Sequence, residues 1–174
     1  MIAVLLVSTS IQMKAAPSGH NYGGRTSVGI RMGWIGAPNG LTVRHVVQDG
    51  HAFEFVGGYN SKYARHADIP EIKKGNSFVG ASYAPYLLMS DGNVGFALLA
   101  DIGMRMNYHH YRYIGRGNGG GKITPEAIGG LGVQVEFSEK VEVFADIHLK
   151  YFNEPHGDYV AGMDSGLGIR FALN

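Results

Sequence analysis

Apolar and polar side chains alternate with a period of two along most of this chain. The clearest segment spans residues 94–109. Its even-numbered positions are Val94, Phe96, Leu98, Ala100, Ile102, Met104, Met106 and Tyr108, and its odd-numbered positions are Gly95, Ala97, Leu99, Asp101, Gly103, Arg105, Asn107 and His109. Successive side chains of a β-strand point to opposite faces, so this segment has one apolar face and one mostly small or polar face. It is therefore predicted to be a strand, because a helix would mix the two sets.

Seven further segments repeat this alternation, and each predicts a strand. They span residues 27–34, 41–47, 52–60, 78–89, 126–137, 141–152 and 163–171. Tight turns are predicted at 48–51, 90–93 and 138–140, and a turn by its composition at 36–40. Long loops are predicted at 61–77 and 110–123, and a medium loop at 153–159. Short turns on one side and longer loops on the other are typical of outer-membrane barrels. The pattern predicts an all-β fold, namely an eight-stranded antiparallel up-and-down transmembrane β-barrel.

The alternation alone does not say which face of such a barrel meets lipid. The polar face is rich in Gly and Ala, which suits the narrow interior of eight strands. Its charges are balanced, with the cations Arg31, Arg44, Arg105, Lys150 and Arg170 and the anions Glu54, Asp101, Glu136, Glu142, Asp146 and Asp164. Trp34, Tyr83, Tyr108 and Tyr151 lie near the ends of apolar stripes, as in interfacial aromatic girdles. The apolar face is therefore expected to face lipid, and the charged face to line the lumen.

The composition of the 174-residue chain agrees with a single barrel domain. Charged residues make up 17%, and a net charge of +1 gives no reason to expect a nucleic-acid partner. The chain has no Cys, which excludes disulfides, thiolate metal sites and cysteine nucleophiles. An apolar run at residues 2–7, followed by small residues, resembles a secretory signal. We expect a signal peptide over 1–16, a lead-in over 17–25 and the barrel domain over 26–174.

Two neighbouring stretches of the sequence resemble a known family. They are Gly40-Leu41-Thr42-Val43-Arg44-His45 and His51-Ala52-Phe53-Glu54-Phe55-Val56-Gly57-Gly58-Tyr59. They are similar to the second-to-third-strand segment of small outer-membrane β-barrel domains of the Bacteroidetes type, with OmpA-like and OmpX-like architecture. The resemblance covers about residues 25–174 and implies a monomer in the bacterial outer membrane. Such barrels often end on an aromatic residue, whereas this chain ends Phe171-Ala172-Leu173-Asn174.

The paired carboxylates Glu142 and Asp146, together with His148, are the strongest candidates for catalysis. Alternation places all three on one face of one strand. A strand rises ~3.3 Å per residue, so the two carboxylates are ~13 Å apart, too far for an acid–base pair. Unpaired buried charges are costly, so we expect a lumen network of ion pairs instead. The expected arginine partners are Arg31, Arg105 and Arg170.

Other polar features also lack the pattern that an enzyme needs. Lipid A deacylases and palmitoyltransferases are eight-stranded barrels that combine His with Ser near the outer rim. His109 and His110 lie at that rim, but adjacent strand residues point to opposite faces and no His-x-Ser arrangement accompanies them. His156 and Asp158 are expected to be ordinary loop residues. The glycine-rich run at 116–122 lacks the helix and the Ser or Thr of a P-loop, so a flexible loop tip is expected.

The sequence therefore predicts no catalytic, cofactor-binding or metal-binding residue. The expected protein is a non-enzymatic integral outer-membrane barrel with a plugged, charged lumen, which contributes to envelope structure or presents surface loops for binding. Its expected partners are outer-membrane lipid and lipopolysaccharide, the latter through Lys62, Arg65, Lys73 and Lys74. Two alternatives stay open: a lipid A-modifying barrel enzyme, and a soluble lipocalin-like barrel that binds an apolar ligand.

Overall fold

The computed structural model describes residues 23–35, 39–48, 50–66, 69–90, 94–113, 119–153 and 159–173. Its strands are β1 (Thr26–Ile35), β2 (Gly40–Gln48), β3 (His51–His66), β4 (Ile69–Ser90), β5 (Gly95–Tyr113), β6 (Gly119–Ser138), β7 (Val141–Asn153) and β8 (Tyr159–Ala172). The predicted signal peptide, most of the predicted lead-in, His156 and Asp158 lie outside the described residues.

The eight strands form a closed antiparallel ring in chain order. Each strand pairs with its neighbour in the sequence, and β1 pairs with β8 to close the ring, with Val28 opposite Phe171 and Ile30 opposite Ile169. Closure satisfies the backbone hydrogen bonds that an open sheet would leave at its edges. The predicted all-β, eight-stranded up-and-down barrel is confirmed.

The predicted long loops at 61–77 and 110–123 are wrong. β3 and β4 stay paired as far as His66 and Ile69, and β5 and β6 as far as Arg112 and Gly119. Residues 119–122 of the glycine-rich run therefore belong to β6 and not to a flexible loop tip, whereas 116–118 lie outside the described residues. Apolar alternation fades where neither face meets an apolar medium, but the backbone ladder does not depend on it.

The wall of the barrel has unequal height. β4, β5 and β6 have 22, 19 and 20 residues, whereas β1 and β2 have 10 and 9. We call the end where β1, β3, β5 and β7 finish the loop end, and the opposite end the turn end. The long hairpins therefore extend the wall at the loop end on one side of the barrel.

The polarity of the barrel is inverted relative to a soluble protein. Large apolar side chains point outward and are exposed, among them Trp34 at 76% and Leu149 at 70%. Charged side chains point inward and are buried, and both Asp164 and Arg170 have 0% exposure. The predicted placement of the charged face in the lumen and of the apolar face on the outside is confirmed. The described ranges contain no helix that is long and apolar enough to cross a membrane.

Three of the four predicted girdle aromatics lie on the outer face near the loop end. Trp34, Tyr108 and Tyr151 are exposed there. Tyr83 lies closer to the turn end, where its hydroxyl hydrogen-bonds to the imidazole of His51 and its ring lies 5.6 Å from that of Phe53. Aromatic side chains therefore mark both ends of the apolar outer surface.

A closed ring of strands predicts heat-modifiable migration in detergent gels. Since every strand is paired on both sides, detergent cannot open the ring from a free edge. The unheated folded protein should migrate differently from the boiled protein. Equal mobility of the two samples, with folding verified by circular dichroism, would contradict a closed barrel.

Candidate functional site in the barrel interior

Glycine makes room for large side chains inside the narrow barrel. Gly166 and Gly168 point into the lumen from β8. A Cβ at Gly166 would lie 2.7 Å from the guanidinium carbon of Arg31, and a Cβ at Gly168 would collide with the ring of Phe144. An eight-stranded interior is just wide enough for side chains to fill it. These glycines therefore allow bulky groups to cross the lumen from the opposing strands.

An apolar layer lines one side of the lumen at the turn end. It consists of Val46, Ala52, Ala84, Tyr86, Ala97 and Leu99, with Met89 packed against it. These residues come from β2 to β5, and all except Met89 are almost fully buried. On the other side of the ring the turn end is charged, because Arg25 lies 3.3 Å from Glu136 there.

Directly above this layer lies a group that we call the Arg170 cluster. It contains Arg44, Glu54, Gln134, Glu142 and Arg170. Glu54 accepts hydrogen bonds of 2.7 Å from Thr42, from Arg44 and from Arg170. The Arg170 side chain also lies 2.5 Å from Glu142, which accepts further hydrogen bonds from Ser27 and Gln134. The charges of the two cations and the two anions balance. The five members of the cluster come from five different strands, which are β2, β3, β6, β7 and β8.

The guanidinium of Arg170 also stacks on an aromatic ring. Its central carbon lies 3.8 Å from the centroid of Phe144, which is 4% exposed. A cation over an aromatic face is stabilised by the ring quadrupole, more strongly when water is excluded. The Phe144 ring therefore covers the Arg170 cluster on the side that faces the loop end.

Nearer the loop end lies a second group, the Asp164 cluster. It contains Arg31, Asp101, Arg105, Asp146, His148 and Asp164. Arg31 donates two hydrogen bonds to Asp146, of 2.9 and 2.5 Å, and Arg105 donates one of 2.8 Å to Asp164. His148 contacts Asp164 through Nδ1 and Asp101 through Nε2, both at 3.2 Å. A void of about 10 Å³, about the size of one water, lies between the two clusters.

Three members of the Asp164 cluster have the residue types of a metal site. Ligand atoms of Asp146, His148 and Asp164 lie within 4.8 Å of one another. However, Asp146 accepts hydrogen bonds from Nε and Nη2 of Arg31, and Asp164 is paired with Arg105 and, at 3.5 Å, with Arg31. The positive charge that these carboxylates need is supplied by guanidinium groups. The arrangement is therefore that of an ion-pair network.

The structure separates the three residues that were the strongest catalytic candidates. Glu142 belongs to the Arg170 cluster, whereas Asp146 and His148 belong to the Asp164 cluster. His148 uses both ring nitrogens on carboxylates, so it has no contact with a hydroxyl nucleophile. The predicted ion pairs with Arg31 and Arg170 are present.

The predicted pairing of Arg105 with these three residues does not occur. Arg105 pairs with Asp164 and, at 3.6 Å, with Glu126. Glu126 and Gln134 were placed on the inner face by alternation, but nothing in the sequence singled them out as partners. Lys150 was also expected among the lumen cations. Its Nζ lies 5.7 Å from the centroid of the Phe152 ring.

The histidines proposed at the outer rim do not form a His–Ser pair. The ring of His110 stacks between Tyr59 and Tyr108, with centroids 5.7 and 5.8 Å apart, and its Nδ1 has no hydrogen-bond partner. His109 is exposed and lies opposite Lys122 in the β5–β6 ladder. The side chains of Lys62, Arg65, Lys73 and Lys74 are outside the described part of the chain.

The Arg170 cluster predicts a large effect of a single substitution. In Arg170→Met the carboxylates of Glu54 and Glu142 each lose a cation in the buried interior, which should lower the free energy of unfolding by about 3–5 kcal/mol. Lys140→Met, at an exposed turn, should change it by less than about 0.5 kcal/mol. Urea titration of both proteins in lipid vesicles measures the difference. A loss below about 1 kcal/mol for Arg170→Met would contradict the proposed role of the cluster.

Comparison with solved structures identifies this architecture. No protein-family model matches the sequence, and no curated protein matches it. The structure is similar to the N-terminal β-barrel domain of Pseudomonas aeruginosa OprF, with a TM-score of 0.60, 15% identity and coverage of 88% of this chain and 100% of that chain. It is also similar to Ail, the attachment invasion locus protein of Yersinia pestis, with a TM-score of 0.51, 14% identity and coverage of 86% and 97%. The chain thus has the eight-stranded fold of the small bacterial outer-membrane β-barrels.

Proposed function

We propose that this protein is a non-enzymatic integral protein of the bacterial outer membrane, with a plugged lumen and surface hairpins available for binding. The observation that carries the proposal is the inverted polarity of the barrel. Burial stabilises a large apolar side chain by about 1.5–3 kcal/mol, and a side chain exposed to water lacks this stabilisation. The outer face carries more than twenty large apolar side chains, so water is a poor solvent for it and lipid is a good one.

The same observation argues against a soluble barrel that binds an apolar ligand. Such a barrel keeps its apolar face inside, where the ligand binds, and its charged face in water. Here the interior holds buried arginines and carboxylates, and its apolar layer is confined to the turn end. An apolar ligand in this lumen would have to displace paired charges.

A plugged lumen is supported by the side chains that cross the described part of the interior. The apolar layer, the Arg170 cluster and the Asp164 cluster follow one another along the barrel axis, and the void between the two clusters is about 10 Å³. The ion pairs join strands on different sides of the ring, so their side chains cross the lumen. A hydrated ion would have to break several of these pairs to pass.

A non-enzymatic role is supported by the contacts of the histidines. His148 is held by three carboxylates, and His110 is stacked between tyrosine rings. Acyl transfer by a barrel enzyme requires a nucleophile within hydrogen-bond reach of its base. The structural neighbours OprF and Ail are barrels of the same general kind.

A role in binding anionic groups is supported by the register of the long hairpins. Lys62 lies opposite Lys74, and Lys73 lies opposite Arg112. The phosphates of lipopolysaccharide would supply the opposite charge. Ail has been crystallised in complex with a sulfated ligand, the heparin analogue sucrose octasulfate.

The membrane assignment is tested by a label on the outer face of β7. Ile147 lies midway along this face and is 48% exposed. The chain has no native Cys, so a fluorophore on Ile147→Cys is a unique reporter. Because this face should meet acyl chains, nitroxide quenchers carried by lipid should quench the label. A label on Glu139→Cys, in an exposed turn, should be quenched only by water-soluble agents. Quenching of the Ile147 label from water alone would refute a lipid-facing position.

The plugged lumen is tested by conductance. Reconstituted protein should show no steady ion current across a planar bilayer, because paired side chains cross the lumen at two levels. A porin reconstituted in the same way serves as the positive control. A stable pore of porin size in verified single-barrel insertions would contradict the plug.

A further inference from the structure

The imidazole of His148 has a carboxylate at each of its two ring nitrogens. Nδ1 lies 3.2 Å from Oδ1 of Asp164, and Nε2 lies 3.2 Å from Oδ2 of Asp101. Asp146 is also close, with Oδ1 3.6 Å from Nδ1. A neutral imidazole has one N–H and one nitrogen that only accepts, whereas an ionised carboxylate only accepts. The ring can therefore donate to both carboxylates only if both of its nitrogens carry a proton.

The arginines of the Asp164 cluster keep two of these carboxylates ionised. Asp164 is paired with Arg105 at 2.8 Å and with Arg31 at 3.5 Å, and Asp146 accepts hydrogen bonds from Arg31. A guanidinium group does not lose its proton in proteins. Asp164 can therefore only accept, and Nδ1 of His148 must carry the hydrogen of that bond.

The remaining question is which partner holds the proton between Nε2 and Asp101. An imidazole is a stronger base than a carboxylate, so a proton shared by the two resides on the ring. His148 is 5% exposed, which leaves these carboxylates in place of water as the partners of its ring. The geometry thus makes His148 the donor to Asp101 as well as to Asp164.

The charge balance of the interior requires the same proton. The Arg170 cluster has two cations and two anions, whereas the Asp164 cluster has three carboxylates but only two arginines. With the imidazolium of His148 the second cluster is balanced too. The wider set of charged side chains that are not exposed adds two cations and two anions in the described residues, namely Arg25, Lys150, Glu126 and Glu136. An unpaired buried charge is costly, so a neutral His148 would leave one carboxylate in excess.

We propose that His148 is an imidazolium cation at neutral pH, and that loss of its proton at alkaline pH weakens the Asp164 cluster. After this loss, Nε2 presents a lone pair to the carboxylate of Asp101 in place of an N–H. The connection from Asp101 on β5 through His148 on β7 to Asp164 on β8 is then broken inside the lumen. The inference rests on the plugged lumen proposed above, because bulk water would hydrate these groups and remove the need for pairing.

The other charged groups around the ring do not change their charge in the same pH range. Carboxylates are already ionised at neutral pH, and guanidinium groups stay charged. The groups come from five strands, and they are Arg31 of β1, Asp101 and Arg105 of β5, Glu126 of β6, Asp146 and Lys150 of β7, and Asp164 of β8. Lys150 is an amine, which ordinarily loses its proton only near pH ~10. His148 is therefore the group whose titration changes the charge of this cluster first as the pH rises.

The sign of the effect on stability follows from counting protons. Above about pH 6.5 the histidine of an unfolded chain is mostly neutral, whereas the folded protein keeps the proton on His148. Stability falls with rising pH wherever the folded state binds more protons than the unfolded state. The equilibrium constant for folding should therefore fall by up to about tenfold per pH unit above that point, until His148 titrates in the folded protein as well.

Nuclear magnetic resonance of the histidine rings tests the charge directly. Long-range proton–nitrogen spectra separate an imidazolium, whose two nitrogens have similar shifts, from a neutral ring, whose shifts differ widely. Protein folded in micelles at about pH 8, well above the ordinary titration of histidine, should show an imidazolium at His148. In Asp101→Asn the new amide can donate to Nε2, so His148 should be neutral. Glu136→Gln removes an interior carboxylate that pairs with Arg25 instead, and should leave His148 charged.

Urea unfolding in lipid vesicles between about pH 7 and pH 9 supplies the second measurement. The folding equilibrium constant of the wild type should fall by up to about tenfold per pH unit more steeply than that of Asp101→Asn. Glu136→Gln should keep the wild-type slope. A neutral His148 in the folded wild type at about pH 8, or equal slopes for the wild type and Asp101→Asn, would overturn the proposal. Neither result would bear on the plug or the membrane location, which the conductance and the label at Ile147 test separately.

Discussion

The structure depends on placing charged side chains in an interior too narrow for bulk water. A buried charge without a partner costs several kcal/mol, so each one needs an opposite charge within reach. Within one strand only the next inward position is in reach, as with Asp146 and His148 on β7, which are 3.6 Å apart, so most partners lie on other strands. Arg170 on β8 therefore bonds Glu54 on β3, which is 116 residues away. Ring closure thus brings together charges from strands that are far apart in the sequence.

The number of strands and their two faces could be predicted because both are local properties. Period-two alternation assigned Ile147 to the outside and His148 to the inside, and the structure agrees. The partners of each charge could not be predicted, because alternation gives the face of a residue but not its height in the barrel. Asp164 illustrates this point. It is contacted from β1, β5 and β7 by Arg31, Arg105 and His148, a meeting that follows from ring closure and register.

The long hairpins and the two uses of glycine were missed for different physical reasons. The sequence near Tyr63 and Lys73 is mostly polar and lacks the alternation, but the ladder between β3 and β4 continues there. The uses of glycine were missed because the sequence does not show what surrounds each one. Gly168 is needed to admit Phe144, whereas Gly129 has space for a side chain. Only the geometry of the neighbouring strands separates these two uses.

The two charged clusters divide the interior into units that contribute to stability separately. Within the Arg170 cluster, Arg44 and Arg170 both bind Glu54. Removing either cation therefore changes the contribution of the other to the free energy of unfolding. Phe144 and the small void separate this cluster from Arg31 and its partners. Coupling between the clusters is therefore weaker than coupling within them. In an interior built in such layers, a change near the loop end disturbs the Asp164 cluster more than the Arg170 cluster.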